Sequence, residues 1–384
     1  MIKTFSNECN MYKSDEKMQC LEIDQGIVLP RRFSDNGPLW GIGGVCDSNN
    51  NFVELSFYDG GWAKHGGKYD WQQEEYIDEE VMYFGVFLKH WGHFLVDLLG
   101  RAWYLPKIEE HVKVVYIGEE DPVGNYLEFF ELLGIKPEQL LHVTKPTRFR
   151  KVIVPQFACR PCIWYTDEYL STFDYLADKV EKEQYVPAGM ENLDKVYFAR
   201  LNFGKAAQTE FGENQIAEWM KVNGYTIISP EKLTLRDQIY IWNHAKEIVC
   251  LNGSIPINIM FSKNKNLKLV VMNKTSLIHK NLDLFILMRD CKATFLDVYR
   301  EPVKGYPKSI GAGPFLLGIS EDIKEYSKQH GMELPFDEKQ IVKAWRINTF
   351  KLVWCIWDVK GRVRITVYRL VSDDIKAKVR SLRK

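Results

Sequence analysis

The 384-residue sequence contains no run of about 18 uninterrupted apolar residues, so no segment reads as a membrane-crossing helix. Asp-x-Asp is absent as well, so the usual carboxylate clamp for a metal-bridged nucleotide diphosphate is not encoded as a local motif. Formal net charge is zero, which removes any global pull toward nucleic acid. Eight cysteines form no dense framework and read as reduced thiols of a cytosolic protein. Cys159-Arg-Pro-Cys162 is a lone CxxC, and no second pair or paired histidines accompany it to complete a zinc site. The first twenty residues lack the apolar core of a secretion signal. Gly41 to Gly44, "GIGG", is followed by turn and strand residues rather than a helix, which excludes a dinucleotide fingerprint. The chain has neither an internal repeat nor a low-complexity segment.

Hydrophobic residues make up 46% and charged residues 27%, the balance of a globular protein long enough for two domains. From Lys343 onward twelve Lys/Arg face three Asp/Glu, a local charge of 12 − 3 = +9 that leaves −9 on the first 342 residues. A basic end on an acidic body suits an anionic partner such as a lipid surface; a solvated hairpin with charged edges is the alternative.

Residues 20–85 alternate short apolar runs with turns and predict strands and hairpins. The loop "DGGWAKHGGKYDW" (59–71) reads as a surface loop or a lid. From 81 onward helix and strand alternate: strands over 112–118, 139–144 and 150–157, and helices over 89–105 and 125–134. A polar helix and linker (166–194) mark a boundary. Strands at 195–200, 225–230, 247–253 and 268–273 then alternate with helices at 214–224, 234–245 and 256–261. Repeated βα units predict a doubly wound α/β fold in two halves, with ligands at the carboxyl ends of the strands. After 305 the pattern predicts helices at 320–331 and over "DEKQIVKAW", then a β-hairpin over 349–371 turning at "DVKG".

The segment "KHWGHFLVDLLGRAWYL" (89–105) is mostly apolar, yet His90, His93, Asp97, Arg101 and Tyr104 share one side of a helix. A spacing of four stacks His93 over Asp97 and Asp97 over Arg101. Such a stack offers a base, a carboxylate that accepts a proton or fixes an imidazole, and a cation for a phosphate. Two other readings stand beside it: a buried ion pair that fixes packing, and a metal set of His90, His93 and Asp97 with His65 as a further donor.

Downstream, "YFARLNFGKAAQ" carries Arg200 and Lys205 at the end of a strand. "CLNGSIPIN" runs from a strand through Asn252, Gly253 and Ser254 into a helix, whose amides attract anions. Both suit a diphosphate.

In combination these pieces resemble glycosyltransferase family 61, the capsular-polysaccharide type, over about residues 85–275. "GHFLVDLLGR" is similar to the Gly-His-Trp-x-x-Asp-x-x-Pro-Arg helix, and "VYFAR" to the Tyr-Ile-Ser-Arg strand. Gly212-Glu213 falls at the Asn-Glu pair. Gln238, Ala245, Gly253, Ser254, Asn258 and Phe261 match the segment ending in His-Gly-Ala/Ser-x-x-x-Asn-x-x-Phe. Phe94, Gly100 and Asn252 replace the family's Trp, Pro and His, and its arginine-rich loop is thinned to Lys205.

The resemblance implies a GT-B-like α/β architecture: two Rossmann-like domains facing an interdomain cleft. The expected units are an acceptor-side domain over 1–185, a nucleotide-sugar domain over 186–305, and a helical and β-hairpin extension over 306–384. It implies an inverting, metal-independent hexosyl- or pentosyltransferase that needs no cofactor beyond its nucleotide-sugar co-substrate. Asp97, slightly ahead of His93, is the expected base. Arg200, Lys205, Glu213, Asn252, Gly253, Ser254 and Asn258 are expected at the donor, with His90, Arg101 and Gln238 in support. The expected partners are a glycan or lipid-linked acceptor and an anionic membrane at the cytoplasmic face. The rival functions are a metal-dependent hydrolase built on His90, His93 and Asp97, and a non-catalytic sugar-nucleotide or glycan-binding module.

Overall fold

A computed structural model describes residues 3–4, 11–34, 37–191, 193–204, 210–278, 280–307, 309–311, 313–335 and 344–370. Lys205 and most of the helix expected over "DEKQIVKAW" lie outside the described residues.

Two mixed α/β units are built on separate sheets. The first has the strand order Leu140–His142, Lys113–Gly118, Glu75–Phe87, Thr147–Pro155, Ile27–Arg32, Ile42–Cys46, and Cys20–Asp24 also pairs with Thr147–Pro155. Its first four strands are parallel, as the βα alternation after 81 requires; the strands before residue 50 join antiparallel. The second sheet runs Lys292–Asp297, Lys268–Asn273, Glu247–Leu251, Lys195–Phe198, Thr226–Ile228, all parallel. Its last strand and the helix Lys280–Arg289 complete the alternation beyond the predicted 273. Lys3–Thr4, at the other end of the chain, adds an antiparallel edge to this second sheet.

Alternation in the buried strands explains how the sheets meet. Val196, Phe198, Ile248, Cys250, Leu269 and Val271 point into the same core as Met82, Phe84 and Phe87 of the first sheet. Tyr197, Val249, Leu251, Val270 and Met272 point the other way, into a core closed by Tyr306, Phe315, Leu317, Ile323, Tyr326 and Phe350. One continuous core therefore joins the two units. The helix Asp167–Lys182, N-capped by Thr166, packs on both the 99–107 segment and the helix Leu235–His244.

The central strand Glu75–Phe87 carries an irregularity with consequences for the site. Met82 and Phe84 face the shared core, but so does Phe87, while Val81, Tyr83 and Val86 face the opposite side. The parity flips at Gly85, where the register with Lys113–Gly118 shifts by one residue. Gly85 has φ +117°, and a Cβ there would stand 3.0 Å from Arg101 Nη1.

The C-terminal hairpin does not form. Ala344–Leu370 is one 27-residue helix that passes straight through "DVKG". β-branched residues in the second half of this segment give the period-two signal, yet Ile347, Phe350 and Trp354 recur at helical spacing and pack on the second core. Phe350 lies 5.9 Å from Tyr306 and 6.1 Å from Phe211, ring to ring. An Asp358–Arg362 ion pair of 2.7 Å, one turn apart, spans the expected turn.

Candidate active site

The 89–105 segment is not one α-helix. His90 caps a single α-turn, Trp91–His93, with its Nδ1 accepting the His93 N–H at 3.3 Å. Phe94–Leu98 then widens into a π-turn, and Leu99–Lys107 narrows to 3₁₀. Turns of this kind are uncommon and concentrate at functional sites. The wide turn sets residue i+4 nearly in line with residue i, and His93 Nδ1 meets Asp97 Oδ2 at 2.9 Å. The tighter winding that follows carries Arg101 away.

Arg101 therefore corrects the predicted stack. Its guanidinium is buried, with Nε donating to the Pro155 carbonyl (2.8 Å) and Nη2 to the Leu55 carbonyl (2.7 Å). It lies 4.1 Å from the Phe157 ring centroid and 5.2 Å from that of Tyr83. Burial pushes its pKa down to about 10. It ties the first sheet together and is not available to a phosphate. Gly100 belongs to the same packing, because a Cβ there would fall 1.9 Å from the Phe157 ring.

Asp97 is 2% exposed and fully engaged. Oδ1 accepts the Tyr58 hydroxyl at 2.5 Å and the Trp62 indole N–H at 3.2 Å, while Oδ2 faces His93. Tyr58 and Trp62 come from a hairpin, Tyr58–Asp59 paired with Lys64–His65, inside the Gly-rich loop. Gly60 makes this possible, since a Cβ there would overlap the Tyr58 hydroxyl at 1.9 Å. Behind Asp97 a cavity of about 10 Å³, lined by His65, Tyr83, Arg101 and Phe157 among others, is too small for a substrate ring. Chemistry belongs to the other side, where the His93 side chain is 34% exposed.

The metal set does not assemble. His90 Nδ1 is spent on the His93 amide, and His93 Nδ1 on Asp97. His65 is 1% exposed, with its pKa pushed down to about 3 by burial and by Arg31 and Arg101. Among the described residues no group of three or more His, Cys, Asp or Glu side chains is placed to hold a metal ion. Cys159 and Cys162 are unpaired, and burial holds their thiols up at about 12 and about 11.

Across from His93 stand the ends of the second sheet. A Cβ on Gly92 would be 3.5 Å from Ser254 Cβ, so the α-turn and the Asn252–Ser254 loop are in contact. Trp91 Nε1 donates to Asn258 Oδ1 at 3.0 Å, and Asn258 Nδ2 donates to the Ile255 carbonyl at 3.0 Å. Asn258 thus latches the two units together. Gln238 is also structural, donating to the Pro230 carbonyl at 3.2 Å. Pro256–Phe261 is a six-residue 3₁₀ turn, not the α-helix expected, and all six of its side chains are buried. The anion-attracting dipole of a long helix is therefore missing there, and the burden falls on side-chain cations.

Two cations converge there. A Cβ on Gly253 would lie 3.9 Å from both Arg200 Nη1 and Lys274 Nζ. Glu210 Oε1 bridges them, at 2.6 Å from Arg200 and 2.7 Å from Lys274. Glu213 accepts the Arg200 backbone N–H at 2.7 Å and the Tyr197 hydroxyl at 3.1 Å. Asn252, 1% exposed, donates to Asn273 Oδ1 at 2.9 Å. Gly253, Ser254, Arg200 and His93 are all partly open to solvent. Sequence reasoning missed Lys274, Glu210, Tyr58 and Trp62. Lys274 follows the strand Lys268–Asn273, and the rule that ligands gather at carboxyl ends of parallel strands would have found it.

Glu213 gives this wall a pH dependence. Burial pushes its carboxyl up to about 7 from an ordinary 4.5, and the Glu210 carboxylate adds to the shift. A group that binds its proton more tightly when folded stabilises the fold at low pH. That contribution is lost as pH rises from about 4.5 through about 7. Glu213→Gln is expected to remove up to about 3 kcal/mol of this dependence. Urea unfolding midpoints of both proteins at about pH 5 and about pH 8 read it directly.

No curated protein sequence matches the chain. Residues 91–271 match the family model described as Glycosyltransferase 61. The matched stretch holds His93, Asp97, Arg200, Glu213 and Asn252–Ser254, and leaves Tyr58, Trp62 and Lys274 outside it. Over residues 91–271, a little under half of its length, the chain is similar to the glycosyltransferase 61 family, enzymes that act on a sugar donor and an acceptor.

Proposed function

We propose that the protein is an inverting, metal-independent glycosyltransferase. It moves a sugar from a nucleotide-sugar donor to a hydroxyl of a glycan or lipid-linked acceptor, in surface polysaccharide biosynthesis. One observation carries this reading: the turn that bears an Asp-held imidazole touches, through Gly92 and Ser254, the loop at which two cations converge.

In this mechanism His93 Nε2 takes the acceptor proton as the hydroxyl oxygen attacks the anomeric carbon, and the bond from that carbon to the diphosphate oxygen breaks. Arg200 and the amides around Gly253 and Ser254 meet the charge on the leaving diphosphate, and Lys274, buried beside Glu210, adds its field from behind Gly253. Asp97 keeps the proton on Nδ1 and stabilises the imidazolium. The sequence put Asp97 slightly ahead as base. Its burial and its three hydrogen-bonded neighbours favour His93 in that role, with Asp97 as its orienting partner.

The two sheets support a GT-B-like reading, with an acceptor-side domain over 1–185, a donor-side domain over 186–305 and an extension over 306–384. Proton NMR of a panel of nucleotide sugars, with and without saccharide acceptors, tests the function. Consumption of one donor with inverted anomeric configuration in the product is expected; retention would overturn the mechanism, and no consumption of any donor the function.

The helix Ala344–Leu370 supports work at a membrane surface on the cytoplasmic side. No helix among the described residues is long and apolar enough to cross a membrane. Leu352, Ile356, Val359 and Val363 are each 47–62% exposed along one stripe, beside Trp357 at 47%. Six Lys/Arg (346, 351, 360, 362, 364, 369) against Asp358 alone favour an anionic surface over pairing with a second copy of the same helix. Flotation with anionic vesicles is expected for the full chain and not for a chain ending at Trp345; equal binding by both would discard this.

A further inference from the structure

Trp62 is an exposed aromatic residue with several fixed contacts. Half of its surface is open to solvent. Yet its N–H is committed to Asp97 Oδ1 at 3.2 Å. Its ring stacks on His93 (centroids 5.1 Å apart, planes at 22°) and meets Trp40 edge-on at 5.2 Å. The turn beneath it is fixed as well. Gly61 N–H donates to Asp59 Oδ1 at 3.0 Å, and the Asp59 carboxylate is paired with Arg160 at 3.0 Å. An indole that served only to orient Asp97 would need only its N–H in place, with the ring covered by its own fold.

We infer that Trp62 is the acceptor platform: a pyranose ring of the acceptor lies with its C–H face on the open part of the indole, which carries one of its hydroxyls to His93 Nε2. The ring face carries the negative part of the aromatic quadrupole and the sugar C–H groups the positive part, so the two surfaces attract. A side chain already locked in place loses little freedom on binding. Asp59, Lys64 and Arg160, all partly exposed around the same turn, offer acceptors and donors to the sugar hydroxyls at the rim. Because Trp62 precedes the matched 91–271 stretch, acceptor choice would be a property of this chain's own N-terminal hairpin. The delivery of a hydroxyl to His93 rests on the transferase reading; the stacking does not.

The test uses the full chain labelled with 5-fluorotryptophan, which carries eleven tryptophans. The ¹⁹F line missing from Trp62→Phe is the line of Trp62. Titration with methyl glycosides of the common hexopyranoses and of xylopyranose is expected to shift that line well before the others, and Trp62→Leu is expected to lose saccharide binding. In transfer assays Trp62→Leu is expected to raise the acceptor KM by about tenfold or more. Trp62→Phe keeps a ring but no N–H, and is expected to lower kcat with a smaller change in KM. A Trp62 line unmoved by every glycoside, or equal acceptor KM in wild type and Trp62→Leu, overturns the platform. Donor hydrolysis is followed in parallel: a shifting Trp62 line without consumption of any nucleotide sugar keeps the platform and removes the transferase reading.

Discussion

Asp97→Asn is expected to lower sugar transfer by about 10²- to 10⁴-fold while leaving nucleotide affinity nearly unchanged. The carboxylate does not face solvent; it sits 2% exposed behind His93 and receives Tyr58 and Trp62 on one oxygen. An amide keeps the shape. However, its NH₂ either turns toward His93 Nδ1 and stabilises the wrong tautomer, or turns toward Tyr58 and Trp62 and opposes two donors. In both cases His93 Nε2 becomes a poor base and the imidazolium loses its counter-charge. The donor cations lie on the other wall, so binding of a nucleoside diphosphate should survive. Steady-state kinetics beside equilibrium titration separates the two effects; unaltered turnover would remove Asp97 from the mechanism.

Lys274→Met is expected to destabilise the fold by about 3–5 kcal/mol, the usual result of stripping one partner from a buried pair. Lys274 and Glu210 are each 2% exposed at 2.7 Å, and burial already pulls the lysine pKa down against the attraction of Glu210. Removing the ammonium leaves Glu210 facing only Arg200, which is itself part-exposed. The double variant Lys274→Met/Glu210→Gln should recover most of the loss, because the charge then left without a partner, that of Arg200, is part-exposed rather than buried. Urea unfolding of the two single variants and the double variant closes the cycle. Additive losses would mean that the pair is not a unit.

The alternation of buried strands and amphipathic helices was legible in the sequence from 81 to 273, because a parallel sheet writes itself as continuous apolar runs. The site was legible in part. The spacing of His93 and Asp97 survives because a π-turn still sets residues four apart side by side, whereas Arg101 is lost to the change of winding that follows it. No local pattern announces such a change. Tyr58 and Trp62 were invisible for a different reason. They reach Asp97 across 39 and 35 residues, through a hairpin that depends on Gly60 having no side chain. The C-terminal helix was misread because its β-branched residues alternate, and only the tertiary contacts of Phe350 and Trp354 decide the period. The short 3₁₀ turn after Ser254 carries the same lesson, since Pro256 at its start predicts a helix but does not fix its length or winding.

Equilibrium titration of wild type, Arg200→Ala and His93→Ala with a panel of nucleoside diphosphates, each variant first checked for a cooperative unfolding transition, tests the donor wall and the base most directly. One nucleotide is expected to bind wild type, Arg200→Ala to weaken it by at least about tenfold, the loss of one charge-assisted contact, and His93→Ala to leave it unchanged. Binding of no nucleotide by the wild-type protein, or equal binding by all three, would contradict these roles of Arg200 and His93.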